Sequence, residues 1–223
     1  VYTKQELTAL LEMCRRHDIF LVVDEVYREF CYDGKKFTSI LSFPEYADRV
    51  ICIDSFSKRF SMCGARIGAI VTKNREFMEN CLKMAQARLC SPAVEEVAAE
   101  AALKAPQSYI DSTVAQYEKR RNLLVNAMQK IEGVRVNMPK GAFYFVADLP
   151  VDDAEKFAIW MLNDFSYKGA TVMFAPAEGF YWTEGYGKCQ ARFAYVLNED
   201  ELSLAAECLK VGLKTYRKEV MHV

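Results

Sequence analysis

Ser55-Phe56-Ser57-Lys58-Arg59-Phe60-Ser61-Met62-Cys63-Gly64-Ala65-Arg66-Ile67-Gly68 follows directly on the apolar run Val50 to Ile53, and a similar run, Ile19 to Val23, lies upstream. Both runs are short, rich in β-branched residues and free of polar alternation, the pattern of strands covered on both faces in an α/β sheet. Each is followed by an aspartate, Asp24 or Asp54. A third apolar run, Arg66 to Val71, comes too soon after Lys58 for a crossover helix, so antiparallel pairing is expected. The quoted stretch therefore starts at the carboxyl end of a predicted strand, where α/β proteins bind ligands. Serine hydroxyls and guanidinium groups, both present in it, suit a phosphate dianion.

Upstream, Thr3 and Glu6 form a T-x-x-E capping box at the head of a helix whose Leu7, Leu10, Leu11 and Cys14 repeat at helical spacing. No strand precedes this helix, and the chain opens Val1-Tyr2-Thr3 rather than with Met. The expectation is a piece of a longer protein. Downstream, helical patterns run from about Arg75 to Leu89, from Ala93 to Lys104, and from beyond Pro106 to Ile131, ending at Gly133. Strands are expected near Val134 to Leu149, Thr171 to Phe174 and Gln190 to Val196, with helices over Asp153 to Tyr167 and Glu199 to Arg217. Three segments result: 1–104, a connecting helix 105–131, and a small domain 132–223. The stretch from Gly179 to Gly187, with three glycines and several aromatics, reads as a mobile loop.

Further elements carry chemistry. Val23-Asp24-Glu25-Val26-Tyr27 ends the first strand; Glu25 reads as structural, whereas Asp24 and Tyr27 pair an acid with a phenol. In Ala191-Arg192-Phe193-Ala194-Tyr195 an arginine interrupts an apolar strand, and a guanidinium there calls for a carboxylate partner. Pro139-Lys140-Gly141-Ala142-Phe143-Tyr144 contains a glycine that either turns the chain or lets its backbone approach a ligand. Glu118-Lys119-Arg120-Arg121 reads as a solvated helix face.

The stretch from Ser55 to Gly68 resembles the cofactor-lysine motif S-x-S-K-x-x-x-x-x-G-x-R-x-G of class I/II, fold-type I pyridoxal-phosphate-dependent aminotransferases, and the likeness extends over essentially the whole chain. A loop lysine is ordinarily a solvated cation; the spaced serines, glycines and arginine speak against that for Lys58. The resemblance implies pyridoxal 5'-phosphate as cofactor, held covalently by Lys58, with Ser55, Ser57 and Arg66 on its phosphate, Asp24 at the pyridine nitrogen and Tyr27 at the 3'-oxygen. Desolvation beside cationic groups lowers a lysine pKa toward the neutral amine this linkage needs. By the same resemblance Arg192 binds the substrate α-carboxylate, and the P-x-G-A-F-Y segment is similar to that of bacterial aspartate aminotransferases. The implied architecture is α/β: residues 1–104 as the C-terminal part of the cofactor-binding large domain, mainly parallel sheet with helices, followed by the connecting helix and a small α+β domain. Cys63 reads as packing, and Gly64 and Gly68 as sites of close backbone approach.

The expected activity of the full-length protein is transamination between an amino acid, aspartate first, and a 2-oxo acid, in a cytoplasmic homodimer; the chain alone is expected to be inactive. Two alternatives are a β-eliminating C–S lyase and the aminotransferase-like effector domain of a transcription regulator. Composition narrows the partners. With 29 basic and 30 acidic residues the formal charge is −1, which gives no general attraction to nucleic acid or anionic lipid. No apolar run approaches the ~20 residues of a membrane span. The eight cysteines are dispersed without a C-x-x-C pair, and neither His17 nor His222 stands at zinc-ligand spacing from one, so reduced, mostly buried thiols and no metal are expected.

Overall fold

The predicted capping box closes at the head of helix α1 (Lys4–Arg16): Thr3 Oγ1 accepts from Glu6 N–H at 3.2 Å and Glu6 Oε2 accepts from Thr3 N–H at 2.7 Å. The computed structural model describes residues 1–223 and divides into two units, one formed by 1–114 with 140–142, the other by 115–139 with 143–223.

In the first unit α1 turns Leu7, Leu11 and Cys14 inward and stops at His17, after which Asp18 takes a positive φ of 53°. Strands β1 (Leu21–Asp24), β2 (Val50–Ser55) and β3 (Gly68–Val71) form a sheet in that order; β1 and β2 are parallel, β2 and β3 antiparallel as the short connection predicts. Leu7 and Leu11 pack with Ile40, Phe43, Val50 and Cys52, and each fully buried leucine contributes about 1.5–3 kcal/mol of transfer free energy. Between β2 and β3 lies the single-turn helix α2 (Phe56–Arg59); α3 (Arg75–Ala87) and α4 (Ala93–Leu103) follow.

The expectation of strands covered on both faces holds for the first half of β2, where Val50, Ile51 and Cys52 are all buried, and fails for β1. Residues along β1 alternate between half-buried and exposed, and β3 is exposed throughout. No residue of α3 is buried, and α4 buries only Ala99. Much of the apolar character of these segments is therefore left exposed, including Val22, Ile70, Val71, Leu82 and Met84.

Helix α5 (Gln107–Met128) runs from the first unit into the second. The second unit is a four-stranded antiparallel sheet ordered β4 (Arg135–Val136), β5 (Tyr144–Asp148), β7 (Gln190–Ala194), β6 (Ala175–Pro176), with helices α6 (Ala154–Asn163) and α7 (Glu199–Glu219). Along β7 the buried Ala191 and Phe193 alternate with the exposed Arg192 and Ala194, the period-2 signature of a sheet with one covered face. Phe157 of α6 stacks on Phe174 with centroids 5.5 Å apart and meets Tyr216 of α7 edge-on at 5.0 Å, and Phe174 reaches Phe193 at 5.1 Å. The predicted strand Thr171 to Phe174 does not form; pairing starts only at Ala175 and Pro176. Thr171 spends its hydroxyl on the Met161 carbonyl at the end of α6 instead.

Two other expectations are corrected. The run Glu118 to Arg121 is not a solvated face: Arg121 is 1% exposed, donating to the Pro139 carbonyl at 2.9 Å and to Asn122 Oδ1 at 2.8 and 3.0 Å. Successive helical residues point about 100° apart, so four charges in a row cannot share one face. The thiols are free but not mostly buried, since only Cys14, Cys52 and Cys208 are. No helix is long and apolar enough to cross a membrane.

Candidate active site

The predicted phosphate-binding residues come together because β2 and β3 form a tight pair around the loop between them. Ser55 is the last residue of β2 and caps α2, its Oγ accepting from Ser57 N–H at 3.1 Å. The same oxygen lies 3.0 Å from Ser57 Oγ and 3.1 Å from the Ile67 carbonyl oxygen. Opposite Ser55 in the ladder stands Gly68. A Cβ there would be 2.9 Å from the Asp54 carbonyl oxygen, so this motif glycine is required by close backbone approach, as expected. Gly64 has nothing within 4 Å of a built Cβ, and the expectation of close approach finds no support there.

Arg66 holds a left-handed backbone, φ 57°, and Ser61 in the same loop does so too, φ 53°. Such a conformation costs a non-glycine residue about 1–2 kcal/mol, and strain of this kind gathers where a ligand or a mechanism requires it. Ser55, Ser57 and Arg66 line one cavity of about 320 Å³ with Asp54 and the apolar Ile53, Ile67 and Ile70. Two hydroxyls and a guanidinium around a concavity of that size are a donor set that fits a phosphate ester.

Lys58 is half-buried on α2, its Nζ 6.0 Å from the centroid of the Tyr27 ring and 3.9 Å from Cys63 Sγ. Cys63 is exposed, with Sγ 3.2 Å from the Ser57 carbonyl oxygen, so its predicted packing role is replaced by contact with the Lys58 loop. Asp24 ends β1 opposite Ile53, two residues before Ser55; its Oδ1 accepts from Val26 N–H at 3.1 Å. Glu25 is structural, as expected: 2% exposed, it accepts from Ile40 N–H at 2.7 Å and from Ser39 Oγ at 2.8 Å. Burial, and then the charge of Glu25, push the neighbouring Cys52 thiol up to about 12.

The sequence reading missed a group of charges beside this site. Asp54 Oδ2 lies 2.9 Å from Arg59 Nη2 and 3.2 Å from Arg28 Nη1, and Glu29 Oε1 lies 3.3 Å from Arg59 Nε and 3.4 Å from Arg28 Nε. The available signal was adjacency: Arg28 and Glu29 follow Tyr27, Asp54 precedes Ser55, and Arg59 follows Lys58.

Arg192 belongs to the second unit. Its guanidinium carbon stands 5.0 Å from the Phe180 ring centroid and 5.4 Å from that of Tyr144, on the exposed face of β7. No acidic partner is seen at its side, which answers the expectation that a guanidinium in this strand needs a carboxylate: the solvated face and two aromatic rings satisfy it. Gly141 pairs as an isolated bridge with Cys31, and a Cβ on it would meet the Phe30 carbonyl oxygen at 2.9 Å, so its demonstrated role is close approach within the first unit.

An α/β unit with a lysine, paired hydroxyls and an arginine at the carboxyl end of its central strand defines the class to which known proteins can be compared. The profile of the family described as aminotransferase class I and II matches residues 1–169, and the chain belongs to that family. It is 37% identical over 195 residues to the putative aminotransferase YugH of Bacillus subtilis, covering 85% of this chain and 48% of that one. It is 30% identical over 207 residues to an aspartate aminotransferase of Sulfurisphaera tokodaii, covering 91% and 50% respectively. The solved structure of an aromatic aminotransferase from Pyrococcus horikoshii superposes with a TM-score of 0.84 at 27% identity, over 97% of this chain and 57% of that one. The chain thus spans about half the length of the relatives it matches.

Proposed function

We propose that the protein carrying this chain binds pyridoxal phosphate through Lys58 and transfers an amino group between an amino acid and a 2-oxo acid. The observation that carries the reading is the convergence of Ser55, Ser57 and Arg66 on one cavity, with Lys58 on the same turn of chain as the two serines. When bound, the cofactor supplies an aldehyde for amines and a ring that accepts the electron pair left by a departing α-proton. Lys58 Nζ holds the cofactor and, once freed, takes that α-proton as general base. Asp24 keeps the ring nitrogen protonated, Tyr27 hydrogen-bonds the 3'-oxygen, and Ser55, Ser57 and Arg66 hold the phosphate. Arg192 binds the substrate carboxylate, for which a planar fork is well suited.

In this reading residues 1–104 belong to the cofactor-binding domain, 105–131 connect, and 132–223 form the small domain. Aspartate with 2-oxoglutarate is the first substrate pair, supported by the aspartate aminotransferase among the relatives; the active form is a cytoplasmic homodimer. Borohydride reduction of the cofactor-loaded protein, followed by peptide mapping, should place the pyridoxyl label on Lys58. A label on a different lysine sinks the assignment, and failure to move nitrogen-15 from aspartate to 2-oxoglutarate sinks the substrate pair.

A further inference from the structure

Beyond Asp24 and Ile53 the ladder between β1 and β2 ends. One more backbone bond, Glu25 N–H to the Ile53 carbonyl at 2.8 Å, closes the register. The segment bearing Tyr27 then turns on itself, with Arg28 N–H donating to the Glu25 carbonyl and Val26 N–H to Asp24. The segment bearing Lys58 likewise enters α2. The sheet therefore does not fix the placement of Tyr27 relative to Lys58. Besides the contact of Lys58 with the Tyr27 ring, the two segments are spanned by the ring of charges Arg28, Asp54, Arg59 and Glu29.

Asp54 is the hub of that ring. Its carboxylate accepts from Ser55 N–H at 2.8 Å, binds Arg59 Nη2 through both oxygens at 2.9 and 3.2 Å, and meets Arg28 Nη1 at 3.2 Å. Glu29 closes the circuit; its contact with Arg59 Nε is an ion pair by distance, though that N–H has no aligned acceptor. The four side chains are between 13% and 32% exposed, which screens them less than a surface pair. Two cations and two anions leave the ring neutral. That matters because Asp54 itself lines the cavity with Ser55, Ser57 and Arg66, where an uncompensated carboxylate would repel a phosphate.

We infer that Asp54 is a positioning residue that ties the Tyr27 segment to the Lys58 segment through Arg28 and Arg59 and keeps its own charge from opposing the bound phosphate. The inference rests on the proposed role of Lys58 and adds to it a support that no cofactor contact describes. Removing either member of the Arg28–Asp54 pair breaks the same tie between the two segments, whereas the charge of the ring changes in opposite senses, net positive without Asp54 and net negative without Arg28, so a loss of cofactor affinity shared by both variants reports the tie and not the charge.

The test uses the cofactor-loaded protein and three readouts: cofactor affinity, the pH midpoint of the visible absorption band, which reports groups next to the Lys58 linkage, and thermal stability. Asp54→Asn keeps an acceptor for Ser55 N–H but loses the charge, and charge-assisted contacts of this kind correspond to about tenfold or more in affinity. Both Asp54→Asn and Arg28→Gln should weaken cofactor binding by that factor and move the pH midpoint. The double variant should be no worse than either single one, and Asp54→Glu should recover part of the loss. Arg49→Gln, which breaks the separate pair with Asp18, should change neither affinity nor midpoint. Additive losses in the double variant, or a fall in thermal stability with affinity and midpoint unchanged, overturn the inference; if Asp54→Asn does not fold, Arg28→Gln decides by the same readouts. A borohydride label away from Lys58 in the unaltered protein brings down the proposed function and this inference together, whereas a label on Lys58 with an unmoved midpoint in the variants brings down this inference alone.

Discussion

A Cβ built on Gly68 would stand 2.9 Å from the carbonyl oxygen of Asp54. Because Gly68 is paired with Ser55 across β2 and β3, Gly68→Ala must push the strands apart where the cavity begins. Overpacking of this kind costs about 1–3 kcal/mol. Urea titration should show that loss, and phosphate or cofactor affinity should fall with it. A variant as stable as the parent would show that β3 shifts freely.

Arg192→Ala tests the division of labour between the units. If the guanidinium serves the substrate and not the cofactor, kcat/KM for amino acids falls by about two orders of magnitude or more while the visible cofactor band stays. Arg192→Lys should rescue little, since an ammonium neither forks onto a carboxylate nor stacks between Tyr144 and Phe180 as a planar group does. Loss of the band with unchanged amino-acid affinity would reverse the assignment.

What was legible in the sequence was whatever depends on short-range pattern. The Thr3–Glu6 box, the antiparallel turn-back after Lys58 and the strand at Arg192 all follow from spacings of a few residues. The cluster of Ser55, Ser57 and Arg66 was legible for the same reason, since a single loop carries it. Burial was harder to read. Arg121 looks like its charged neighbours, yet besides Glu118 its partners include a carbonyl eighteen residues away and an adjacent asparagine. Asp54 looked like a strand terminator, and its tie to Arg28 spans 26 positions that no local period reports. The strand expected at Thr171 failed because a side-chain bond to Met161 replaced a ladder.

Alkaline stability should depend on Tyr216. Burial first, and then its hydrogen bond to Asp152 at 2.9 Å, push its hydroxyl up to about 12. An unfolded tyrosine ionises near 10, so between those values the folded state holds a proton that the unfolded state has lost, and stability falls as pH rises. Over the full window the loss is roughly 2–3 kcal/mol. Denaturation followed from pH 8 to about 12 should show this slope, and Tyr216→Phe should make it shallower, the remainder belonging to thiols such as Cys52 that burial also raises; an unchanged slope would show that Tyr216 contributes nothing to alkaline sensitivity.

The uncovered helices of the first unit predict self-association of the 223-residue chain. Leu82 and Met84 of α3, with Val94 and Val97 of α4, are all more than half exposed, and large apolar side chains left in water in such number favour association with another copy. Sedimentation velocity should show species that grow with concentration, and Leu82→Glu with Val97→Glu should suppress them. A monomer throughout the accessible range would mean that these helices are adequately solvated.

Residues 140–142 lie in the first unit although the chain on both sides of them is in the second. Tyr32 N–H donates to the Lys140 carbonyl at 3.1 Å and Ala142 N–H to the Phe30 carbonyl at 3.0 Å, so this tripeptide is stitched to the segment that follows Tyr27. The polypeptide consequently crosses between units at 114–115, 139–140 and 142–143, the first time inside the unbroken helix α5. Neither unit is a contiguous cassette. A truncation at the first crossing would strip one unit of a backbone clasp and leave the other with three residues bereft of their neighbours, and shuffling these halves among homologous genes would have to exchange all three junctions at once.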